Sequence, residues 1–340
     1  MTIKMSDIAK AAGVSLATVG RVLHNNGYVS EEKRQEIERI IKETGYIPNR
    51  IAQGLKKSRS KIIGHLTLFN PNMQYQEISS AVNAAAAESG YQVLTLTCHQ
   101  GSGEEEQQIN DLIGHRVDGV IITSYQALSQ EWIGRLLERQ IPVVMVERTY
   151  DMPLVDRIVV NDLAGSKEAV RHMLHKGHRR IAFVGAALDY QVEKDRYAGY
   201  LEALKEAGIV PLEQWSQLMP GYSVEAGRKA IDELLHARVS PTAVFMTSDI
   251  FACGVLQVLY ERGLRVPDDL SLIGYDNTLS ALLSPPITSV GLPFEKIGDH
   301  AIRLLLRRME DPGVSACSVG IDPFLMDRHT VRERQEEQSL

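Results

Sequence analysis

Cysteine is scarce: Cys98, Cys253 and Cys317 are the only three in 340 residues. Their odd number and wide spacing leave no disulfide framework and no CxxC pair for a metal or redox centre, so they read as buried thiols. No apolar run approaches the ~20 residues a bilayer-spanning helix needs. The N-terminal Met1-Thr2-Ile3-Lys4-Met5-Ser6-Asp7 carries a helical pattern in place of a signal-peptide core, so a cytoplasmic protein with no membrane partner is expected. The chain also lacks Gly-x-x-x-x-Gly-Lys-Ser/Thr, Gly-x-Ser-x-Gly, and Gly-x-Gly-x-x-Gly after a strand. Without them, nucleotide-driven and acyl-transfer chemistry have no machinery, and neither an enzyme nor a cofactor is expected. His172, His175 and His178 look like a metal set, but steps of three on a helix fan apart by about 60° each, and Gly177 ends the helix before His178.

What is present excludes disorder, because 44% of the chain is hydrophobic and 24% charged, enough for two or three packed domains. Charge is uneven. Residues 1–61 hold 12 Lys+Arg against 6 Asp+Glu, while the rest holds 25 against 37. A small basic head on a large acidic body points the head toward a polyanion.

Within the head, Met5, Ile8, Ala9 and Ala12 share one helical face, with Ser6 or Asp7 available to cap and Gly13 to stop the helix. Ser15 can cap a second helix over residues 16–23, with Val19, Val22 and Leu23 inward and Ala17, Thr18, Gly20 and Arg21 outward. A third helix, residues 31–44, places Ile37, Ile40 and Ile41 at core spacing and closes at Gly45. Two short helices joined by a glycine turn form a helix-turn-helix, whose second helix enters the DNA major groove.

The run Asp7-Ile8-Ala9-x-x-Ala12-Gly13-Val14-Ser15-x-x-Thr18-Val19-x-Arg21-Val22-Leu23, then Val29, Arg34, Gly45-Tyr46-x-Pro48-Asn49 and Ala52-x-x-Leu55, resembles the DNA-binding head of the lactose-repressor family of bacterial transcription regulators. The resemblance implies operator contacts from Ser15, Leu16, Ala17, Thr18, Arg21 and His24. It further implies a hinge helix over residues 49–56 that contributes Asn49, Ala52, Leu55 and Lys56, with Leu55 as a minor-groove wedge. Leu16 and Ala17 suit thymine methyls, and Arg21 suits a guanine edge or a phosphate. Lys56, Lys57, Arg59 and Lys61 add salt-dependent phosphate attraction. Three positions depart from the family pattern: Gly20 for serine, His24 for asparagine and Gln53 for arginine. One head reads one half-site, so a homodimer on a pseudo-palindromic double-stranded operator is expected. The tail after His329 lacks apolar heptads, so no tetramerising coiled coil is expected.

From residue 61 onward, short apolar runs alternate with helical stretches: runs at 62–68, 91–97, 119–123 and 143–146, then a second set starting near Arg157 and including 181–184, 243–247 and 272–274. This is the signature of doubly wound parallel α/β sheets. The resemblance extends end to end and implies a periplasmic-sugar-binding-protein type core of two such lobes. The expected fold is therefore an all-α helix-turn-helix head plus an α/β core. Its divisions are 1–48 for the head, 49–60 for hinge and linker, 61–161 with 293–323 for the N-terminal lobe, and 162–292 with 324–334 for the C-terminal lobe.

Open α/β sheets bind ligands beyond the carboxyl ends of their strands. Carried over position by position, the resemblance implies a small-molecule effector, a sugar or sugar derivative, touching Gln74, Tyr75, Glu147, Arg148, Arg196, Tyr222, Ser248, Asp276 and Phe294. Alternatives stay open for three residues: Asp249 as the cap of a helix starting at Ile250, Tyr222 as core, and Arg196 paired with Asp195 or Glu193. Arg148 and Arg196 against Glu147 and Asp276 point toward an anionic ligand, unless Glu147 neutralises Arg148. Leu292 replaces a glutamine of some sugar-binding members. Two other function classes are a sugar-binding receptor that merely carries the head, and a sugar-metabolising enzyme.

Overall fold

A computed structural model describes residues 3–46, 59–69, 71–99, 103–123, 130–147, 152, 154–189 and 191–334. The chain divides into two units, 1–60 and 61–340, each taken by itself below.

The head is three helices, α1 (Met5–Ala11), α2 (Leu16–Leu23) and α3 (Glu31–Thr44), packed around Ile8, Val19 and Ile37, all fully buried. Glycines at positive φ, Gly13 at 61° and Gly45 at 62°, follow α1 and α3 where the chain must leave the helix. Ser15 Oγ accepts from Thr18 N at 3.2 Å, so the expected cap of α2 forms. Two expectations need correction. Asp7 does not precede α1 as its cap; it lies in the first turn and receives the Lys4 N–H at 2.8 Å. Gly20 does not face outward: a Cβ there would lie 3.3 Å from the Met5 methyl, so its missing side chain lets α1 and α2 close up.

The larger unit has two lobes, each built on a six-stranded sheet. The first sheet contains β1 (Ile62–Leu68), β2 (Gln92–Cys98), β3 (Gly119–Thr123), β4 (Val143–Val146), β5 (Val155–Val160) and β11 (Ser318–Ile321), in the spatial order β11-β5-β4-β3-β1-β2. The second contains β6 (Ile181–Ala186), β7 (Ser216–Met219), β8 (Ala243–Met246), β9 (Ser271–Asp276), β10 (Thr288–Gly291) and β12 (Phe324–Met326), in the order β12-β10-β9-β8-β6-β7. Every pairing is parallel except β10 with β12. The strand at 155–160, placed at the head of the second set by its sequence, belongs to the first sheet beside β4.

Helices α4 (Gln74–Glu88), α5 (Glu105–Gly114), α6 (Gln130–Glu138) and α11 (Phe294–Glu310) cover the first sheet, and α7 (Asp162–His175), α8 (Gln191–Glu206), α9 (Val224–His236) and α10 (Asp249–Glu261) serve the second lobe. Cover on both faces explains why β3, β4, β6, β8 and β9 are buried at every residue and are apolar apart from Thr123, Ser271 and Asp276 at strand ends. The chain passes between sheets three times, after β5, after β10 and between β11 and β12, each time within one to two residues of a strand end. Such short connections hold the carboxyl ends of both sheets toward one another. No helix among the described residues is long and apolar enough to cross a membrane.

Candidate effector cleft and DNA-reading helix

Along α2, the expected operator contacts are residues that the core of the head does not use. Ser15, Leu16, Ala17, Arg21 and His24 are exposed and Thr18 is half-buried, its hydroxyl 2.9 Å from that of Ser15. Leu16, at the start of α2, is 53% exposed and free of the head's core. Arg34 Nη1 donates to Asn25 Oδ1 at 3.1 Å, pinning the exit of α2 to the start of α3. The expected contacts Asn49, Ala52, Leu55 and Lys56 lie outside the described residues, as does Arg148 in the core.

In the core, Arg196 on α8 is the centre. Its Nε donates to Asp162 Oδ1 at 2.8 Å, its Nη1 to Thr247 O at 2.7 Å, and its Nη2 meets Gln74 Oε1 at 3.5 Å. Asp276 Oδ1 stands 3.6 Å from Nη1, and the guanidinium lies over the Tyr275 ring at 3.9 Å. Ser248 Oγ donates to Asp276 Oδ2 at 2.8 Å. From the first lobe, the Gln74 amide donates to both Glu147 oxygens, at 3.0 and 3.2 Å, and its backbone N–H is held by Asn72 Oδ1 at 3.0 Å. Thus Gln74, Glu147, Arg196, Ser248 and Asp276 come together, all buried, from the carboxyl ends of strands in both lobes. Glu147 at φ 64° and Asp276 at φ 89° occupy left-handed backbone, a conformation non-glycine residues hold only where surroundings impose it.

The electrostatics follow from burial. Burial and the nearby Asp162 carboxylate push Glu147 up to about 8, against the pull of Arg196. Burial pushes Asp276 up to about 7, again against Arg196, with Asp249 adding to the rise. Glu193 is pushed by burial up to about 7 in the face of Arg196 and of the Tyr222 hydroxyl, which donates to Glu193 Oε1 at 2.6 Å. For Arg196 itself, burial works against charge, but Asp162 and Asp276 outweigh it and hold the guanidinium firmly protonated.

Several expectations change. Arg196 pairs with Asp162 and Asp276, not with Asp195 or Glu193. Helix α10 starts at Asp249 with Ser248 as its cap residue, so Asp249 is not the cap. Tyr222 is both buried core, its ring 5.6 Å from Phe251, and a donor to Glu193. Tyr75 is buried beneath the start of α4, while Phe294 is half-buried at the start of α11 and packs on the core. The anionic-ligand expectation loses its basis around Arg196, because Asp162 and Glu193 were not counted: all three guanidinium nitrogens are engaged and carboxylates outnumber it. Asp162 is a first-turn acid of α7, and no local signal announces its partner 34 residues away. His178 is spent on structure, with Nδ1 2.8 Å from Thr242 Oγ1 and Nε2 3.1 Å from Arg332 O.

Residues 4–49 match the lacI family of bacterial regulatory proteins, and residues 170–331 match the periplasmic binding protein-like domain. The chain belongs to the lacI family; it is a DNA-binding transcriptional regulator with a helix-turn-helix head and a core of two parallel-sheet α/β lobes. Among its relatives, the HTH-type transcriptional regulator DegA of Bacillus subtilis (strain 168) is 32% identical, covering 95% of this chain and 96% of its own. The HTH-type transcriptional repressor PurR of Pectobacterium carotovorum subsp. carotovorum (strain PC1) is 33% identical over 97% of each. Among solved structures, the lac repressor dimer bound to operator and the anti-inducer ONPF aligns with a TM-score of 0.85 at 28% identity, covering 98% of this chain and 100% of that one. The transcriptional regulator CelR in complex with cellobiose aligns at 0.72 and 30% identity over 96% and 99%.

Proposed function

We propose that this regulator is a sequence-specific repressor, acting as a cytoplasmic homodimer, whose affinity for a pseudo-palindromic operator is set by a small polar molecule held between the core lobes. The observation that carries the reading is the convergence of Gln74 and Glu147 from one lobe with Arg196, Ser248 and Asp276 from the other. A ligand touching both sets feels the lobes' relative position. It therefore binds two core conformations unequally, which is the requirement for shifting affinity at a distant DNA site. Carboxyl groups gathered around an engaged guanidinium suit a hydroxyl-bearing molecule, a sugar or sugar derivative, because a carboxyl accepts hydrogen bonds when ionised and both donates and accepts when protonated. Relatives solved with cellobiose and with operator plus anti-inducer support the same division of labour.

In this reading, residues 1–48 read DNA through Ser15, Leu16, Ala17, Thr18, Arg21 and His24, and residues 49–60 carry the signal, with Asn49, Ala52, Leu55 and Lys56 at the operator. The N-terminal lobe is 61–161 with 293–323 and the C-terminal lobe 162–292 with 324–334. Tyr75, Arg148, Tyr222 and Phe294 complete the effector surroundings, and the cleft recognises its ligand without turning it over.

Two measurements test the proposal. Selection of operator sequences by the purified protein should return a twofold site whose affinity falls steeply with salt, and a variant lacking residues 1–60 should lose it. A thermal-shift screen against mono- and disaccharides, sugar acids, sugar phosphates and nucleosides should find a stabilising compound that alters operator affinity by about 1–3 kcal/mol, an effect removed by Asp276→Ala. A compound that binds equally well to Asp276→Ala, or that leaves operator affinity unchanged, would contradict this assignment of the cleft.

A further inference from the structure

Asp249 takes no part in the effector contacts proposed above, yet it is fully buried and its carboxylate is saturated. Its Oδ2 accepts the backbone N–H groups of Thr278 at 2.8 Å, Leu279 at 3.0 Å and Ser280 at 3.0 Å, and its Oδ1 accepts the Ser289 hydroxyl at 2.9 Å. Ser289 Oγ in turn receives the N–H of Asn277 at 3.2 Å. The segment held this way is the one that leaves β9 through two consecutive left-handed residues, Asp276 at φ 89° and Asn277 at φ 55°. Aspartate and asparagine enter this region more readily than other non-glycine residues, but as single residues, so two in succession call for an external hold. The hold approaches closely: a Cβ at Gly274 would stand 2.5 Å from Asp249 Oδ1, so glycine at 274 is what admits the carboxylate. Next to Asp249 in sequence, Ser248 donates to Asp276 Oδ2 at 2.8 Å. One dipeptide therefore grips both the carboxylate of Asp276 and the backbone that follows it.

We propose that Asp249 is the positioning residue of the effector cleft: by gathering the 278–280 amides it fixes the left-handed turn that aims the Asp276 carboxylate at Ser248 and Arg196. The proposal rests on the reading of Asp276 as an effector contact. Charge-assisted acceptance of several N–H groups by one carboxylate is strong enough for the task. The motif Ser248-Asp249 with Gly274-Tyr275-Asp276-Asn277 then acquires a division of roles: contact by Ser248 and Asp276, clearance by Gly274, and hold by Asp249.

The test follows the Asp276 carboxyl by 13C NMR in the full chain labelled at the aspartate side-chain carboxyl carbon, with Asp276→Asn identifying the signal. In the unaltered protein burial should push the Asp276 titration up to about 7. Asp249→Asn removes a neighbouring negative charge but keeps an oxygen for the amides, so Asp276 moves down only slightly. Asp249→Ala removes charge and hold together, so Asp276 swings toward water and titrates near the ordinary aspartate range. Gly274→Ala, which displaces the carboxylate while keeping it, behaves as Asp249→Ala does. If Asp249→Ala and Asp249→Asn give the same Asp276 titration, with only the melting temperature lower in the former, Asp249 is a structural anchor and the proposal is wrong. Should Asp249→Ala not fold, Ser289→Ala removes one of the bonds: a smaller downward displacement supports the proposal, and none overturns it. No effector enters this readout, so a failed ligand screen and a failed positioning role are told apart.

Discussion

Glu147 and Asp276 occupy the same place in two copies of one topology. β4 lies third from the β11 edge of the first sheet and β9 third from the β12 edge of the second; Glu147 directly follows β4, and Asp276 is the last residue of β9. Both have positive φ, and both turn into the cleft. Their company differs. Asp276 has a hydroxyl donor in Ser248 and a guanidinium 3.6 Å away, whereas Glu147 is met by the neutral amide of Gln74. Yet burial dominates both, against the pull of Arg196 on each: Glu147 is pushed up to about 8 and Asp276 to about 7, each well above the ordinary range of its own carboxyl. A fold position sets where a carboxyl stands and how deeply it is buried, and burial outweighs the difference in partners.

The comparison breaks most sharply at Arg196, the cation that stands among these acids in the described residues. Arg196→Met should destabilise the core by about 3–5 kcal/mol in urea denaturation, because Asp162 and Asp276 are left buried without their partner. A loss below about 1 kcal/mol would mean that water reaches these carboxylates freely.

Proton linkage gives the next test. Carboxyls raised in the folded state bind protons more tightly there than in the unfolded chain, so their contribution to stability is full below about pH 4 and is lost as pH rises through the folded values. Glu193 and Asp276 contribute a decline ending near 7, and Glu147 one ending near 8. Glu147→Gln should flatten melting temperature against pH up to about 8 and stabilise the protein at pH 8.5 by on the order of 2 kcal/mol. Asp276→Asn should flatten only the part below about 7. Coincident midpoints for the two variants would erase the distinction between the lobes.

Smaller effects come from removing the neutral partners. Gln74→Ala takes both hydrogen bonds from Glu147 and should cost about 2 kcal/mol at pH 6, while raising the Glu147 titration further. Ser248→Ala should cost about 1 kcal/mol, since Asp276 keeps Arg196. Equal losses would show that Arg196 does not compensate Asp276 as its position indicates. Chemical denaturation of both variants side by side measures this.

Much of the architecture was legible because its signals are local. In the head, Ile8, Val19, Ile37 and the cap at Ser15 follow from helical spacing and from the chemistry of a helix start. Buried strands such as β3 and β4 announce themselves as apolar runs. Legibility failed where an element is short and partly exposed, as at β7 and β11, whose mixed polarity carries no periodic signal, and at β12, three apolar residues too few to show a period. It failed again at Gly20, which resembled an outward position because helical phase alone cannot register a neighbouring helix pressing on it.

In the cleft, Arg196, Ser248, Glu147 and Asp276 were named from their family pattern and Glu193 only as a possible partner of Arg196, while Asp162 and the hold exerted by Asp249 were not foreseen. The order of residues along the chain was enough to specify the helical head, the alternation of strand and helix, and which acids stand at strand ends, since each depends on contacts between near neighbours or on the strand periodicity itself. Which acid pairs with Arg196, how strongly each holds its proton and what keeps Asp276 in a left-handed turn were decided by packing, because burial and partnership arise only when residues as far apart as Gln74, Asp162, Arg196 and Asp276 are brought within a few ångströms.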